Sequence, residues 1–224
     1  MKRSEINAIQ RDAIQVLERF SFRLPPWAFW RPSDWEGRGC EVDEIKECML
    51  GWDVTDFGSG DFQKRGLFLF TLRNGNPEWT SRKTYAEKIM IVCEDQETPM
   101  HFHRLKMEDI INRGGGNLCI QLYGSSEDED LSDEDLTVSI DGIARSIPAG
   151  TIIRLLPGES ICLEPYMYHR FWAEQGTTLV GEVSLVNDDS SDNRFHENVG
   201  RFPVVEEDED PLHLLASDYS THLS

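Results

Sequence analysis

The sequence predicts an all-β fold, an antiparallel sandwich or barrel, with an N-terminal helical extension. Two features of residue order predict it. One amphipathic helical stripe opens the chain, and from residue 66 onward short apolar runs alternate with Gly, Pro, Asn and Asp turns. The third is size: 224 residues, 39% of them hydrophobic, suffice for one large domain with a buried core.

Ser4 reads as a helix N-cap, and Ile6, Ile9, Ala13, Val16 and Phe20 recur at three- and four-residue steps on one face. The prolines of Leu24-Pro-Pro-Trp-Ala-Phe-Trp end that helix. The segment reads as an ordered loop whose Trp27 and Trp30 pack on the body. Gly66–Arg73 reads as a buried strand, and Asn74-Gly75 behind it favours a tight turn. Further strands are read at 88–93, 117–123, 136–140, 151–156, 160–163, 169–172 and 178–185. The chain thus divides into a helical, aromatic-rich extension, 1–65, and a barrel, 66–224, within one structural domain. Two acidic runs, Ser125–Asp135 and Glu206–Asp210, lack the loop spacing and glycine of an EF-hand and read as solvated loops.

Forty-one acidic residues against 22 basic ones give a net charge of −19. Such a surface repels phosphate backbones and anionic headgroups, so neither nucleic acid nor membrane is expected as a partner. No apolar run reaches the ~18 residues of a transmembrane helix, and Met1–Phe20 is too polar for a signal peptide. The 5 cysteines are scattered without CxxC spacing and read as reduced thiols. A cytoplasmic protein is expected.

The chemistry concentrates around three of the 6 histidines. On an extended segment His101-Phe-His103 turns both imidazoles to one side, and Glu108 follows closely enough to reach the same point. His169 heads an aromatic strand that a barrel can bring alongside. The metal ligands predicted are His101, His103, Glu108 and His169. That set suits Mn²⁺ or Fe²⁺, with Co²⁺ or Ni²⁺ as substitutes. His196, His213 and His222 stand singly and read as surface residues.

These motifs resemble those of the cupins. His101-x-His103-x4-Glu108, with Gly114-Gly-Gly116 behind it, is similar to the first cupin motif. The second is matched by Leu156-Pro-Gly-Glu-Ser-Ile-x-Leu-x-Pro-x3-His169-x-Phe171. Some positions depart from the pattern: no glycine precedes His101, Pro165 is one place late, Tyr166 stands where glycine is usual, and Ala173 replaces asparagine. The opening Met-Lys-Arg-Ser-Glu-Ile-Asn, the Leu24–Trp30 segment, Thr98-Pro-Met-His-Phe-His-x2-Lys-x-Glu108 and Tyr166-x2-His169 further resemble the bacterial D-lyxose ketol-isomerase family, across essentially the whole chain.

The resemblance implies a cupin-type jelly-roll barrel, manganese, and interconversion of D-lyxose with D-xylulose and of D-mannose with D-fructose. A metal-chelated sugar would pass through an enediolate, and that needs an acid–base group inside the barrel. Glu182, charged within an apolar strand, is the candidate base, its pKa expected to be raised by desolvation. Lys88 would hydrogen-bond a sugar oxygen, and Glu108 would both ligate and shuttle a proton. Glu182, Lys88 and Glu108 are the catalytic candidates; His101, Asp192 and Arg194 join them as substrate contacts. Between the ligands, alternation turns at least one of Arg104 and Lys106 away. A homodimer is expected, with the N-terminal helix and Trp-rich segment near its interface. Two other readings share the ligand set: an Fe²⁺-dependent dioxygenase, and a cupin that binds metal or sugar without turnover.

Overall fold

The computed structural model describes residues 1–76, 78, 83–189 and 191–223. Helix α1 (Arg3–Arg19) is followed by the short helices α2 (Pro32–Trp35) and α3 (Asp43–Glu47). The strands are β1 (Gly51–Thr55), β2 (Leu67–Arg73), β3 (Tyr85–Val92), β4 (His101–His103), β5 (Glu108–Ser125) and β6 (Leu131–Ser132). They continue with β7 (Leu136–Ile140), β8 (Ile143–Ile147), β9 (Ile152–Leu155), β10 (Ser160–Leu163), β11 (Met167–Leu185) and β12 (Asn193–Phe195), before helix α4 (Tyr219–His222). The main sheet runs β1-β2-β3-β11-β5-β10-β7-β8, and its pairs are antiparallel. An antiparallel β body with an N-terminal helical extension is therefore observed.

Strand alternation sorts the apolar runs onto two faces. Leu69, Met90, Val92, Ile110 and Val180 pack inside the barrel. Phe68, Phe70, Ile89, Ile91 and Leu179 point the other way, against Ile6, Ala13 and Leu17 of α1. With both faces covered, β2 and β3 read as continuous hydrophobic runs. Burial of Ile6 and Leu17, 0% and 3% exposed, contributes about 1.5–3 kcal/mol each. Trp52 of β1 donates to Ala28 O at 2.6 Å, tying the aromatic segment to the sheet edge. Trp27 packs on Phe70 and Trp30 on Trp35, as the sequence predicts.

Several expectations are corrected. The helix begins before Ser4: Lys2 is the N-cap, and its amide donates to Glu5 Oε2 at 2.8 Å. Ser4 instead donates to Asp208. The acidic run 206–210 is solvent-exposed, as expected, but it is also docked as a strap: Glu207, together with Asp218 beyond the run, flanks the fully buried Arg3, and Glu209 accepts from Asn7. In the other acidic run Glu129 pairs with Arg104 and Arg194, and Asp130 with His196. Asn74-Gly75 closes no two-residue hairpin, because β2 and β3 are joined through residue 84. Buried Asn74 donates to Cys48 O and Asn187 O and accepts from Asn187 N.

Two backbone features bend the strands that carry the site. At Gly115 φ is +101°, and a Cβ would lie 2.1 Å from Thr177 O, so only glycine lets β5 and β11 approach where their register shifts. Tyr166 adopts φ +61°, so the turn before β11 keeps the backbone of the usual glycine.

Candidate active site

A cavity opens among β2, β3, β4, β5 and β11, and the three predicted histidines line it. His101 stands opposite His169 in the β4–β11 ladder, while Phe102 between the two β4 histidines is buried in a separate aromatic cluster. The ligand atoms of His101, His103 and His169 lie within 4.8 Å of one another, and the trio is able to hold a metal ion. Nδ1 of His101 is 2.9 Å from Pro99 O, and Nδ1 of His169 is 2.9 Å from Met167 O. Donation there fixes the tautomer and leaves each Nε2 with its lone pair. Burial, reinforced by His169 and His103, pushes the His101 imidazole well below its usual range; burial and then Lys106 lower His103. Both are thus neutral, the form that ligates. Glu108 Oε1 lies 3.4 Å from His103 Nε2 and 3.2 Å from His169 Nε2, completing a donor set of borderline-to-hard atoms.

Beside the histidines sits a buried lattice of charges. Lys88 and Glu182 are opposed across β3 and β11, with Lys88 Nζ 3.1 Å from Glu182 Oε1. Lys106 Nζ lies 3.0 Å from the same oxygen and 2.7 Å from Glu108 Oε2. Asn187 Oδ1 accepts from Lys88 at 2.7 Å and from Lys106 at 3.2 Å, and Asn74 holds Asn187 in place. The expectation that desolvation raises Glu182 is wrong. Burial does push its carboxyl up, but Lys106 and Lys88 outweigh burial and hold it below the usual range. Burial likewise pushes Glu108 up, and Lys106 and His103 bring it far below. Both side chains are ionised.

Lys106 is the principal residue that sequence reasoning missed. Arg104 turns outward to Glu129 and Lys106 inward, in a turn where strand alternation does not apply. Asp192 and Arg194 do not line the cavity. Asp192 accepts from the Leu105 and Lys106 amides, bracing that turn, and Arg194 pairs with Glu129. Their neighbours Asp189, Asn193 and Arg201 line it instead, with Phe57 and Phe195. Trp27 and Trp30 lie elsewhere. His213 is no surface residue: it is 7% exposed, stacks on Trp52 and binds Trp30 O through Nδ1. His196 and His222 are exposed, as expected.

Inward imidazoles on paired antiparallel strands of a jelly-roll-like sheet define a cupin-like fold. The family model for D-lyxose isomerase matches residues 1–219. A D-lyxose/D-mannose isomerase of Serratia proteamaculans is 48% identical over 98% of each chain, as is one from Escherichia coli O157:H7. The chain belongs to the D-lyxose isomerase family. Among solved structures, L-ribose isomerases of Cellulomonas parahominis (in complex with L-ribose) and Geodermatophilus obscurus match 92% of this chain and 98% of theirs, with TM-scores of 0.61 and 0.62 at 14% and 13% identity. These two establish the likeness of fold. Family membership decides among the three functional readings: the chain is an aldose–ketose isomerase.

Proposed function

We propose that the cavity interconverts D-lyxose with D-xylulose and D-mannose with D-fructose, and that it holds Mn²⁺ through His101, His103, Glu108 and His169. The observation that carries this reading is one cavity in which neutral imidazoles adjoin an ionised carboxylate flanked by two lysines. A divalent ion held there supplies a Lewis acid for the sugar carbonyl and its neighbouring hydroxyl.

The chain's own groups do the rest. Glu182, kept ionised, accepts the proton from the carbon beside the carbonyl and returns it to the adjacent carbon. Lys88 and Lys106 hydrogen-bond the sugar oxygens on which charge develops, and Lys106 bridges Glu182 to Glu108 for the proton that moves between oxygens. The lining of Leu67, Leu69, Met90 and Phe171 keeps water from the reacting carbons. Mn²⁺-loaded protein is expected to convert both aldoses to ketoses, and Glu182→Gln to slow this by about 10²–10⁴-fold. Metal-loaded enzyme that leaves both sugars unchanged would refute the reading.

Residues 1–65 and 66–224 form one structural domain, in which β1 adds an edge strand to the sheet and the helical, aromatic-rich remainder of 1–65 packs on it as an extension. The protein is a cytoplasmic homodimer meeting near that extension, where Phe29 and Met49 are exposed. A dimer mass in light scattering is expected; a monomer mass would contradict the assembly.

A further inference from the structure

At the end of the cavity formed by the C-terminal segment, Asp189 acts as a hub. Its Oδ2 accepts from Arg201 Nη2 at 2.8 Å and its Oδ1 from Asn193 Nδ2 at 3.1 Å. Arg201 also pairs with Asp53 of β1, so its guanidinium is held from two sides, and its side chain is only 10% exposed. Two buried atoms are left over. Arg201 Nη1, a donor, and Asn193 Oδ1, an acceptor, have no hydrogen-bond partner among the described residues. Both residues line the cavity together with Asp189. Buried polar atoms are otherwise almost always paired, so an orphan donor and an orphan acceptor on one carboxylate point to a ligand group that both gives and takes a hydrogen bond. A hydroxyl does both.

We propose that Arg201 and Asn193, aligned by Asp189, form a subsite for the terminal hydroxyl of the sugar, the one farthest from C1 and C2. Its oxygen accepts from Arg201 Nη1 and its O–H donates to Asn193 Oδ1. The inference rests on the isomerase reading and adds to it a specificity that metal and base do not supply.

The test compares kcat/KM for D-lyxose and 5-deoxy-D-lyxose in Mn²⁺-loaded wild type, Asn193→Ala and Arg201→Lys. A site built around a hydroxyl rejects the analogue lacking it, so the wild type is expected to disfavour the deoxy sugar by about 10- to 100-fold. Asn193→Ala breaks no ion pair. It is expected to fold normally, to raise KM for D-lyxose with kcat little changed, and to reduce that discrimination at least tenfold. Arg201→Lys is expected to act in the same direction. Equal discrimination in all three proteins would overturn the subsite, and so would a folded Asn193→Ala that loses both sugars alike. Failure of the wild type to turn over D-lyxose would instead overturn the isomerase reading.

Discussion

Lys106 Nζ lies 2.7 Å from Glu108 Oε2, and both side chains are at most 3% exposed. The lysine therefore sits between Glu108 and Glu182 as their shared counter-ion. Lys106→Met would leave two buried carboxylates with Lys88 alone. Breaking a buried ion pair from one side costs about 3–5 kcal/mol, so a large drop in the urea midpoint is expected. Without the cation the ionised forms lose support and both carboxyl pKa values rise, so the acid limb of kcat moves to higher pH. An unchanged midpoint together with an unchanged pH profile would show that the network does not depend on Lys106.

The histidine cluster makes a prediction about metal. His103→Ala is expected to lose Mn²⁺ binding and activity together. In the wild type, Mn²⁺ at about 100 times its dissociation constant should stabilise the fold by about 2.7 kcal/mol, and a chelator should reverse this. Thermal unfolding with and without the ion measures it; full activity of His103→Ala without metal would contradict the ligand assignment.

His213 sets a pH dependence remote from the active site. Burial, with Arg31 nearby, lowers its pKa, whereas the Trp30 carbonyl opposes the shift. The unfolded chain then binds the proton first, so stability is full above about pH 6.5 and declines as pH falls through that value. Buried His101 and His103 act in the same direction in metal-free protein. His213→Gln should flatten the curve of urea midpoint against pH between about 7 and 5 by up to one proton's worth of slope. Superimposable curves would contradict this.

Arg3 links the two ends of the chain. Its guanidinium donates to Glu207 and Asp218, and Asp218 also accepts from the Leu215 amide. Arg3→Met would strand Asp218, 8% exposed, beneath α1 at a cost of about 3–5 kcal/mol. Chemical denaturation should show that loss, while kcat of the folded enzyme stays near wild type. A ΔG within about 0.5 kcal/mol of wild type would rule out the strap's role.

What could be read from the sequence follows the range of the interactions. Alternation and turn residues are local, so the β body, the amphipathic helix and the His101-Phe-His103 pair were legible. Glu182 and Lys88 were visible as charges that an apolar strand does not tolerate without a partner, and they proved to be each other's partners. Lys106 was hidden because it follows a strand end, where period two gives no direction. Asp189, Asn193 and Arg201 were hidden because their meeting depends on how the segment after β11 folds back over the barrel. The acidic strap is solvated, as read, but its docking was hidden because its partner, Arg3, lies near the other end of the chain. The sign of the Glu182 shift depended on Lys106 and could not be worked out without it.

The most direct test of the central claim is proton NMR of D-lyxose with Mn²⁺-loaded enzyme in D₂O under nitrogen. D-xylulose carrying deuterium at C1 is predicted, since a carboxylate base exchanges its proton with solvent before returning it, and Glu182→Gln should slow the appearance of labelled ketose by about 10²–10⁴-fold. No ketose with Mn²⁺, Fe²⁺, Co²⁺ or Ni²⁺, or undiminished labelled ketose from Glu182→Gln, would contradict it.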